Sequence, residues 1–483
     1  MTHPDKKDQS QVTSNRTRRD FLKTAAAGTA AASIPYVWTS RTANAIGPND
    51  QKTIACIGVG GSRGRHNRGG KVARKAKRLG RMIAVCDVDG LHTAEFNKEM
   101  GGELNEYTDY RKLFENENPD VVIIGTPDHW HVPISIRALR SGADVYCEKP
   151  LTLTIGEGEQ IKQVVEETGR VFQVGTQQRS EMGRLFLIAT AIVRSGRLGE
   201  NVNAYVAVGG SKAGGPFENV AVPEKLDWDM WVGPAPKVDY SLERRKEFRW
   251  FLEYSGGKMT DWGAHHIDIA QWALQLDNTG PSRVSGTGNL PPIIPDNFNW
   301  QQFFAGDLEL PNSYNAAIDF HIDLSFDSGS VISVNNQYTR GNIDFDNGIL
   351  FEGDKGRMFV NRGKLQGKVV EEIFGSNLGT GNKKQFAALD KATRDEFEAA
   401  FKELHNGKSP MSHMDNFFAC LEDRSKPVAD VVSHVNTMNS CHLCNLNLML
   451  GRDLQWDPAA GDFVGDDQAS ALRSRKRREG FEI

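Results

Sequence analysis

The 483-residue chain sets 58 Lys and Arg against 62 Asp and Glu, a formal net charge of −4 with about a quarter of its residues charged. That length exceeds what one hydrophobic core organises and implies two domains. The near balance of charge gives no electrostatic footprint for a nucleic-acid partner and excludes that class of function.

Residues 1–16 are polar, without apolar periodicity, and are expected to be disordered. Thr17-Arg18-Arg19-Asp20-Phe21-Leu22-Lys23 then leads into a small-residue apolar stretch from Thr24 to Trp38, and Ala43-Asn44-Ala45 offers the small residues a signal peptidase accepts. Residues 1–45 therefore read as a twin-arginine signal peptide, which predicts export of a folded protein through the twin-arginine machinery to the periplasm. A chance basic pair on a frayed helix is the alternative. The stretch falls short of the roughly 20 apolar residues of a membrane span, so no stable membrane anchor is expected. Cys56, Cys86 and Cys147 lie in or at the end of apolar runs, with neither disulfide nor metal spacing, and read as buried thiols.

Short apolar runs follow at 53–60, 81–87, 120–125, 143–147 and 171–175, with helical spacing at 132–141 and 156–168. Strands alternating with helices predict a doubly wound parallel sheet, a dinucleotide-binding domain over 46–175. Gly58, Gly60, Gly61 and Gly64 follow the first run. Gly58 would allow the tight turn and Gly60 the close approach of a pyrophosphate to the backbone, with a helix N-terminus beyond. Gly64 stands four positions after Gly60 where the usual fingerprint has three, so either Gly61 absorbs a residue or the turn is looser. Asp87 ends the second run, where a carboxylate would bind the adenosine ribose and favour NAD over NADP. Arg63, Arg65 and Arg68 keep NADP open.

Beyond 175 the pattern changes. Residues 201–208 and 317–336 alternate apolar and polar, and helical segments cover 387–406, 411–423 and 432–450. This predicts an α+β domain over 176–460 with a large open, mainly antiparallel sheet. Residues 461–483 form a tail whose basic run, Arg473 to Arg478, reads as a solvated terminus. The loop Gly209 to Pro216 is placed at the substrate cleft. Cys441-His442-Leu443-Cys444 has metal-like spacing inside an apolar helical stretch, where core packing is the expectation, and no metal site is expected elsewhere.

Two clusters carry chemistry. Glu148-Lys149-Pro150 follows the fourth core strand, at the sheet edge where ligands bind, although taken alone it reads better as a surface Lys-Pro turn. Asp261-Trp262-Gly263-Ala264-His265 opens a helical stretch, which would put Asp261 and His265 on one face as i and i+4, with Asp268 nearby. A carboxylate beside an imidazole can orient a general base, or be a structural hydrogen bond. His266 points elsewhere and reads as structural. Arg249 and Trp250 either face the substrate or pack.

Together with Thr126-Pro127-Asp128-His129-Trp130-His131, Leu226-Asp227-Trp228-Asp229-Met230-Trp231-Val232-Gly233-Pro234 and Trp456-Asp457-Pro458, these clusters resemble the Gfo/Idh/MocA oxidoreductases over about residues 51–460. The resemblance implies that Lys149 is the catalytic lysine and His265 the acid/base, supported by Asp261. It also implies that Thr126, Pro127, His131 and Glu148 line the cofactor cleft, and that the second domain's open sheet serves a homo-oligomer. The implied activity is hydride transfer between NAD(P), retained by the protein in one version, and a hydroxyl or keto carbon of a sugar or cyclitol. Two alternatives stand: glycoside hydrolysis by transient NAD-dependent oxidation, and a non-catalytic sugar-binding protein.

Overall fold

The structure is a computed structural model that describes residues 51–64 and 67–483. The predicted signal peptide lies outside the described residues, as do Arg65 and His66.

Strands β1 (Thr53–Ile57), β2 (Arg81–Cys86), β3 (Asn105–Tyr107), β4 (Val121–Ile124), β5 (Asp144–Cys147) and β6 (Phe172–Val174) form a parallel sheet in the order β3-β2-β1-β4-β5-β6. The sheet is the expected doubly wound one. Its central strands are buried on both faces, which is why they read as unbroken apolar runs. β3, Asn-Glu-Tyr, had no such signal because it is a polar, mostly exposed edge. The strand order reverses between β1 and β4, and a doubly wound sheet opens a ligand crevice at that switch.

The remaining strands are β7 (Asn203–Ala207), β8 (Arg283–Asn289), β9 (Asp319–Ser325), β10 (Val331–Asn335), the small hairpin β11 (Tyr338–Arg340) and β12 (Ile343–Phe345), β13 (Gly348–Gly353), β14 (Gly356–Val360), β15 (Lys364–Gln366), β16 (Leu378–Gly379), β17 (Leu454–Asp457) and β18 (Asp462–Phe463). All but the hairpin join one ten-stranded sheet, ordered β16-β15-β14-β13-β7-β10-β9-β8-β17-β18. It is antiparallel except for the parallel pair β7 and β10, so the sheet is mixed but mainly of the expected kind. The helices Leu185–Arg194, Gly263–Ala273 and Val431–Leu450 share its core. The last of these is buried almost all round although it carries Ser, Thr, Asn and His side chains among its apolar ones. Cys441 and Cys444 sit in that core, and His442 Nε2 lies 3.0 Å from Thr152 Oγ1. Among the described residues no helix is long and apolar enough to cross a membrane.

The tail departs from expectation. It docks instead of extending into solvent. Arg475 donates to the Leu252 carbonyl at 2.5 Å and lies over the Phe304 ring at 3.7 Å. Arg478 bonds Asp229 and the Gly233 carbonyl, and Phe481 meets Trp130 edge-on with ring centroids 5.7 Å apart. The run looked like a solvated terminus because its partners, carbonyls and aromatic faces, are distant in sequence. Replacing Arg475 by Ala removes a charge-assisted bond and a stacked face. The expected loss is about 1–3 kcal/mol of stability, read by chemical denaturation.

Candidate active site

The carboxyl ends of β1, β2, β4 and β5 surround a cleft of about 1070 Å³, open mouth included, lined by Gly58, Gly60, Gly64, Asp87, Thr126, Pro127, His131, Glu148 and Lys149. Gly58 and Gly60 have φ of +76° and +64°, a region that favours glycine. A Cβ on Gly58 would stand 2.6 Å from the Thr126 backbone nitrogen. The third glycine of the turn is not Gly64. Gly64 lies in a turn, its N–H on the Gly61 carbonyl at 3.1 Å, and the helix begins only at Arg68. Gly69 makes the close packing instead: a Cβ there would overlap the Gly58 carbonyl oxygen, and one on Gly125 would overlap Gly69. The turn is therefore several residues longer than the usual fingerprint. Gly61 stays off the cleft, packed towards His92 and Glu95.

Asp87 lines the cleft with its carboxylate already anchored, accepting from Gly60 N–H at 2.9 Å and Asp89 N–H at 3.0 Å. Of the arginines after the turn, Arg63 points away from the cleft and Arg68 lines it paired with Glu148. Arg63 donates to the Glu224 carbonyl at 2.8 Å, and Arg68 Nε lies 3.0 Å from Glu148 Oε1. The basic side chains that line the cleft from the second half of the chain are Arg245, bound to Asp89 at 2.5 Å, Lys246 and Arg249. Leu226, Met230 and Phe248 add apolar wall from the same half. A floor without Cβ atoms, a helix N-terminus and apolar walls fit a dinucleotide.

Lys149, directly after β5, reaches across to the second domain. Its Nζ donates to Asp261 Oδ1 and to the Asp261 carbonyl oxygen, both at 2.7 Å. Arg249 Nε approaches the same carboxylate oxygen at 3.3 Å. The helix expected through this motif breaks at Trp262, between Gly257–Asp261 and Gly263–Ala273. The N–H groups of His265 and His266 both go to the Trp262 carbonyl, which leaves the Asp261 carbonyl free for the lysine. The expected Asp261–His265 pairing is thus replaced by Asp261–Lys149. Asp268 goes to Arg179 in a buried two-bond pair at 2.7 and 2.9 Å.

Burial works to raise the Asp261 pKa, but Lys149 and Arg249 outweigh it and hold the carboxyl well below the usual range. His265 is buried, its Nδ1 has no hydrogen-bond partner among the described residues, and its backbone carbonyl accepts from Gln178. Burial, then Lys149, Arg362, His266 and Arg68, push its pKa well below the ordinary value, so the ring is neutral. Asp128 also lines the cleft, holds Ser255 Oγ at 2.5 Å, and is raised to about 6 by burial, against the pull of Arg249. His131 sits between the carbonyls of Pro150 (2.6 Å) and Thr126 (2.9 Å), bracing the two turns that flank the cleft. His266 meets Asn347 Oδ1 at 3.2 Å.

The structure thus brings together Lys149, Asp261 and the cleft, with His265 within electrostatic reach of the lysine. Gly69 and Gly125 were missed from sequence; Gly125, directly after a buried strand, carried a readable sign of close backbone approach, whereas Gly69 lies inside a helix and carried none. Asp128 stood inside a quoted motif without a role. Arg362, on a polar turn, gave no signal.

Residues 52–176 match the oxidoreductase family with an NAD-binding Rossmann fold, Gfo/Idh/MocA, and residues 209–290 match that family's C-terminal alpha/beta domain. Residues 17–35 match the twin-arginine translocation signal. By these matches the NAD-binding domain and the segment 209–290 belong to the Gfo/Idh/MocA oxidoreductase family, behind a twin-arginine export signal. A glycosyl hydrolase family 109 protein of Shewanella sp. (strain W3-18-1) is 28% identical over 209 residues, 39% of this chain and 45% of the relative. An inositol 2-dehydrogenase of Salmonella paratyphi B is 28% identical over 120 residues, 25% of this chain and 35% of the relative. The chain thus spans less than half the length of these curated relatives. The WlbA dehydrogenase of Bordetella pertussis, solved with NADH and UDP-GlcNAcA, superposes with a TM-score of 0.53 at 15% identity, covering 84% of this chain and 99% of that one, a likeness of fold.

Two outcomes follow. Gly69→Ala should weaken NADH binding about tenfold or more, because overpacking of this kind costs roughly 1–3 kcal/mol, whereas Gly381→Ala, with open space around it, should bind as the parent does; fluorescence titration reads both. His129, His266, His413, His434 and His442 are each lowered by burial to about 3. The unfolded chain therefore takes up protons that the folded one refuses once pH drops below about 6.5. Stability should be full above that pH and fall steeply towards pH 4, seen as a falling Tm in calorimetry.

Proposed function

We propose that the protein is an exported, NAD-dependent oxidoreductase that moves hydride between the cofactor and a hydroxyl or keto carbon of a sugar or cyclitol. The observation that carries this is the Lys149–Asp261 bond, which fixes a lysine of the NAD-binding domain over the cleft from across the domain boundary. The family's NAD-binding domain, the inositol dehydrogenase relative and the sugar-nucleotide complex of the WlbA dehydrogenase support it.

When bound, NAD supplies a hydride acceptor or donor at its nicotinamide ring. The protein's own groups manage the proton and the charge. Gly58, Gly60 and the helix from Arg68 hold the pyrophosphate, Asp87 takes the adenosine ribose, and Thr126, Pro127 and His131 shape the nicotinamide end beside Glu148. Lys149, held by Asp261, hydrogen-bonds the substrate oxygen and stabilises negative charge developing there. His265, neutral and with Nδ1 unpartnered, accepts the hydroxyl proton in the oxidative direction and returns it in reduction. Export places this chemistry in the periplasm, where retained NAD would spare the enzyme a search for free cofactor. The outer face of the ten-stranded sheet serves assembly into a homo-oligomer, whose mass sedimentation velocity reads directly.

The glycosyl hydrolase relative favours one second reading, in which transient oxidation at the same carbon leads to loss of a glycosidic leaving group and return of the hydride. Incubating the protein with NAD, a panel of sugars and cyclitols, and chromogenic glycosides separates the two. Stoichiometric NADH with a free sugar supports the dehydrogenase; repeated leaving-group release without net NADH supports the hydrolase. Lys149→Ala and His265→Ala should each cost about 10²–10⁴-fold in kcat, the usual contribution of such groups. Unchanged turnover in Lys149→Ala would contradict both readings, and sugar binding with no turnover in the parent protein would point to a sugar-binding protein without catalysis.

A further inference from the structure

The charges around Lys149 and His265 do not balance. Five cations gather there: Arg68 and Lys149 from the first domain, and Arg249, Lys258 and Arg362 from the second. Glu148 is taken by Arg68 at 3.0 Å, and Asp261 is shared between Lys149 and Arg249. Asp128 is raised to about 6 by burial and so stays mostly ionised at neutral pH, and Asp346 lies within electrostatic reach of Lys258, which still leaves the cations in excess by about one. Among the described residues, neither Arg362 nor Lys258 has a carboxylate within ion-pairing distance.

Arg362 is the better mounted of the two. It stands in the turn between β14 and β15, where the Asn361 side chain accepts from the N–H groups of Gly363 and Lys364 at 2.9 and 3.0 Å. Its guanidinium lies 4.5 Å from the centre of the Trp262 ring, and that ring is 5.7 Å from His265. Its Nε donates to Gln178 Oε1 at 2.9 Å, while Gln178 Nε2 donates to the His265 carbonyl at 3.2 Å. No partner meets its two terminal nitrogens among the described residues. A partly buried guanidinium is thus fixed by stacking and by one bond, with its paired donors left over. Burial and the repulsion of Arg68 lower its pKa, against the pull of Asp261 and Glu148.

We propose that the substrate is an acidic sugar of the uronate type, whose carboxylate takes both terminal nitrogens of Arg362 while a ring hydroxyl meets Lys149 and His265. The paired N–H donors match a carboxylate in one plane, and one added negative charge offsets the excess positive charge. The same charge offsets part of the repulsion from Lys149 and Arg362 that, after burial, lowers the His265 pKa. The inference rests on the dehydrogenase reading only for the placing of Lys149 and His265 against the substrate.

Calorimetric titration of the NADH-loaded protein tests it, with D-glucuronate and D-galacturonate set against D-glucose, D-galactose and D-glucose 6-phosphate. The uronates should bind about tenfold tighter or more than the neutral sugars, as a bidentate charge-assisted pair implies, with the advantage shrinking as salt rises. In Arg362→Gln that advantage should vanish while neutral-sugar binding and Tm hold, and Arg362→Lys should restore part of it. Equal binding of acidic and neutral sugars, no uronate binding, tighter binding of the phosphate, or a preference that survives Arg362→Gln would each overturn the proposal. In a parallel assay with NAD in place of NADH, uronate binding without hydride transfer would sink the dehydrogenase reading while leaving the Arg362 carboxylate site standing, and Arg362-independent turnover of neutral sugars would do the reverse.

Discussion

The bond between Lys149 and Asp261 is the constraint on which the site depends. It joins the end of a parallel strand in one domain to a helix break in the other, with both the carboxylate and the carbonyl of Asp261 turned to one ammonium group. Such a pair is costly to bury and costly to break, since either partner left alone would be a charge withdrawn from water. Arg249 supplies a second cation to the same oxygen, so the carboxylate stays ionised and the lysine stays in place. The geometry fixes a donor at the cleft before any substrate arrives, which is how an active site avoids reorganising during the reaction.

The rest of the second domain serves to keep that crossing rigid. The helix Val431–Leu450 packs against the helices Gly263–Ala273 and Ile155–Thr168, so its face links the motif helix to the first domain. Arg179 and Asp268 close a buried pair beneath His265, and Arg179 also lies 4.9 Å from the Trp272 ring. The segment from Leu226 to Arg249 walls the dinucleotide cleft from above, and the tail ties down its Asp229–Pro234 end through Arg478. Cofactor site and substrate site are therefore parts of one packed unit, although the sequence matches treat them as separate domains.

The parallel sheet was legible because burial on both faces writes itself as apolar runs, and strand ends then located Asp87 and Lys149, whereas Thr126 came from the family resemblance. What escaped was set by geometry that one residue type cannot announce. Gly69 looked like an ordinary helical glycine, yet it is the one that meets β1, because the turn before it is longer than the usual fingerprint. The i, i+4 spacing of Asp261 and His265 suggested a pair, but a break at Trp262 redirects the carboxylate to a lysine 112 positions away. Arg475 read as solvated and Arg362 gave no signal because their partners are aromatic faces, a carbonyl and an amide, none of which leaves a charge pattern in the chain.

A crystal structure of the protein soaked with NADH and an unreactive sugar ligand tests the arrangement most directly. The nicotinamide C4 should lie about 3–3.5 Å from one ring carbon, a distance suited to transfer, with the oxygen on that carbon hydrogen-bonded to Lys149 Nζ and His265. A sugar seated away from Lys149, or a nicotinamide turned out of the cleft between Thr126 and Glu148, would contradict it.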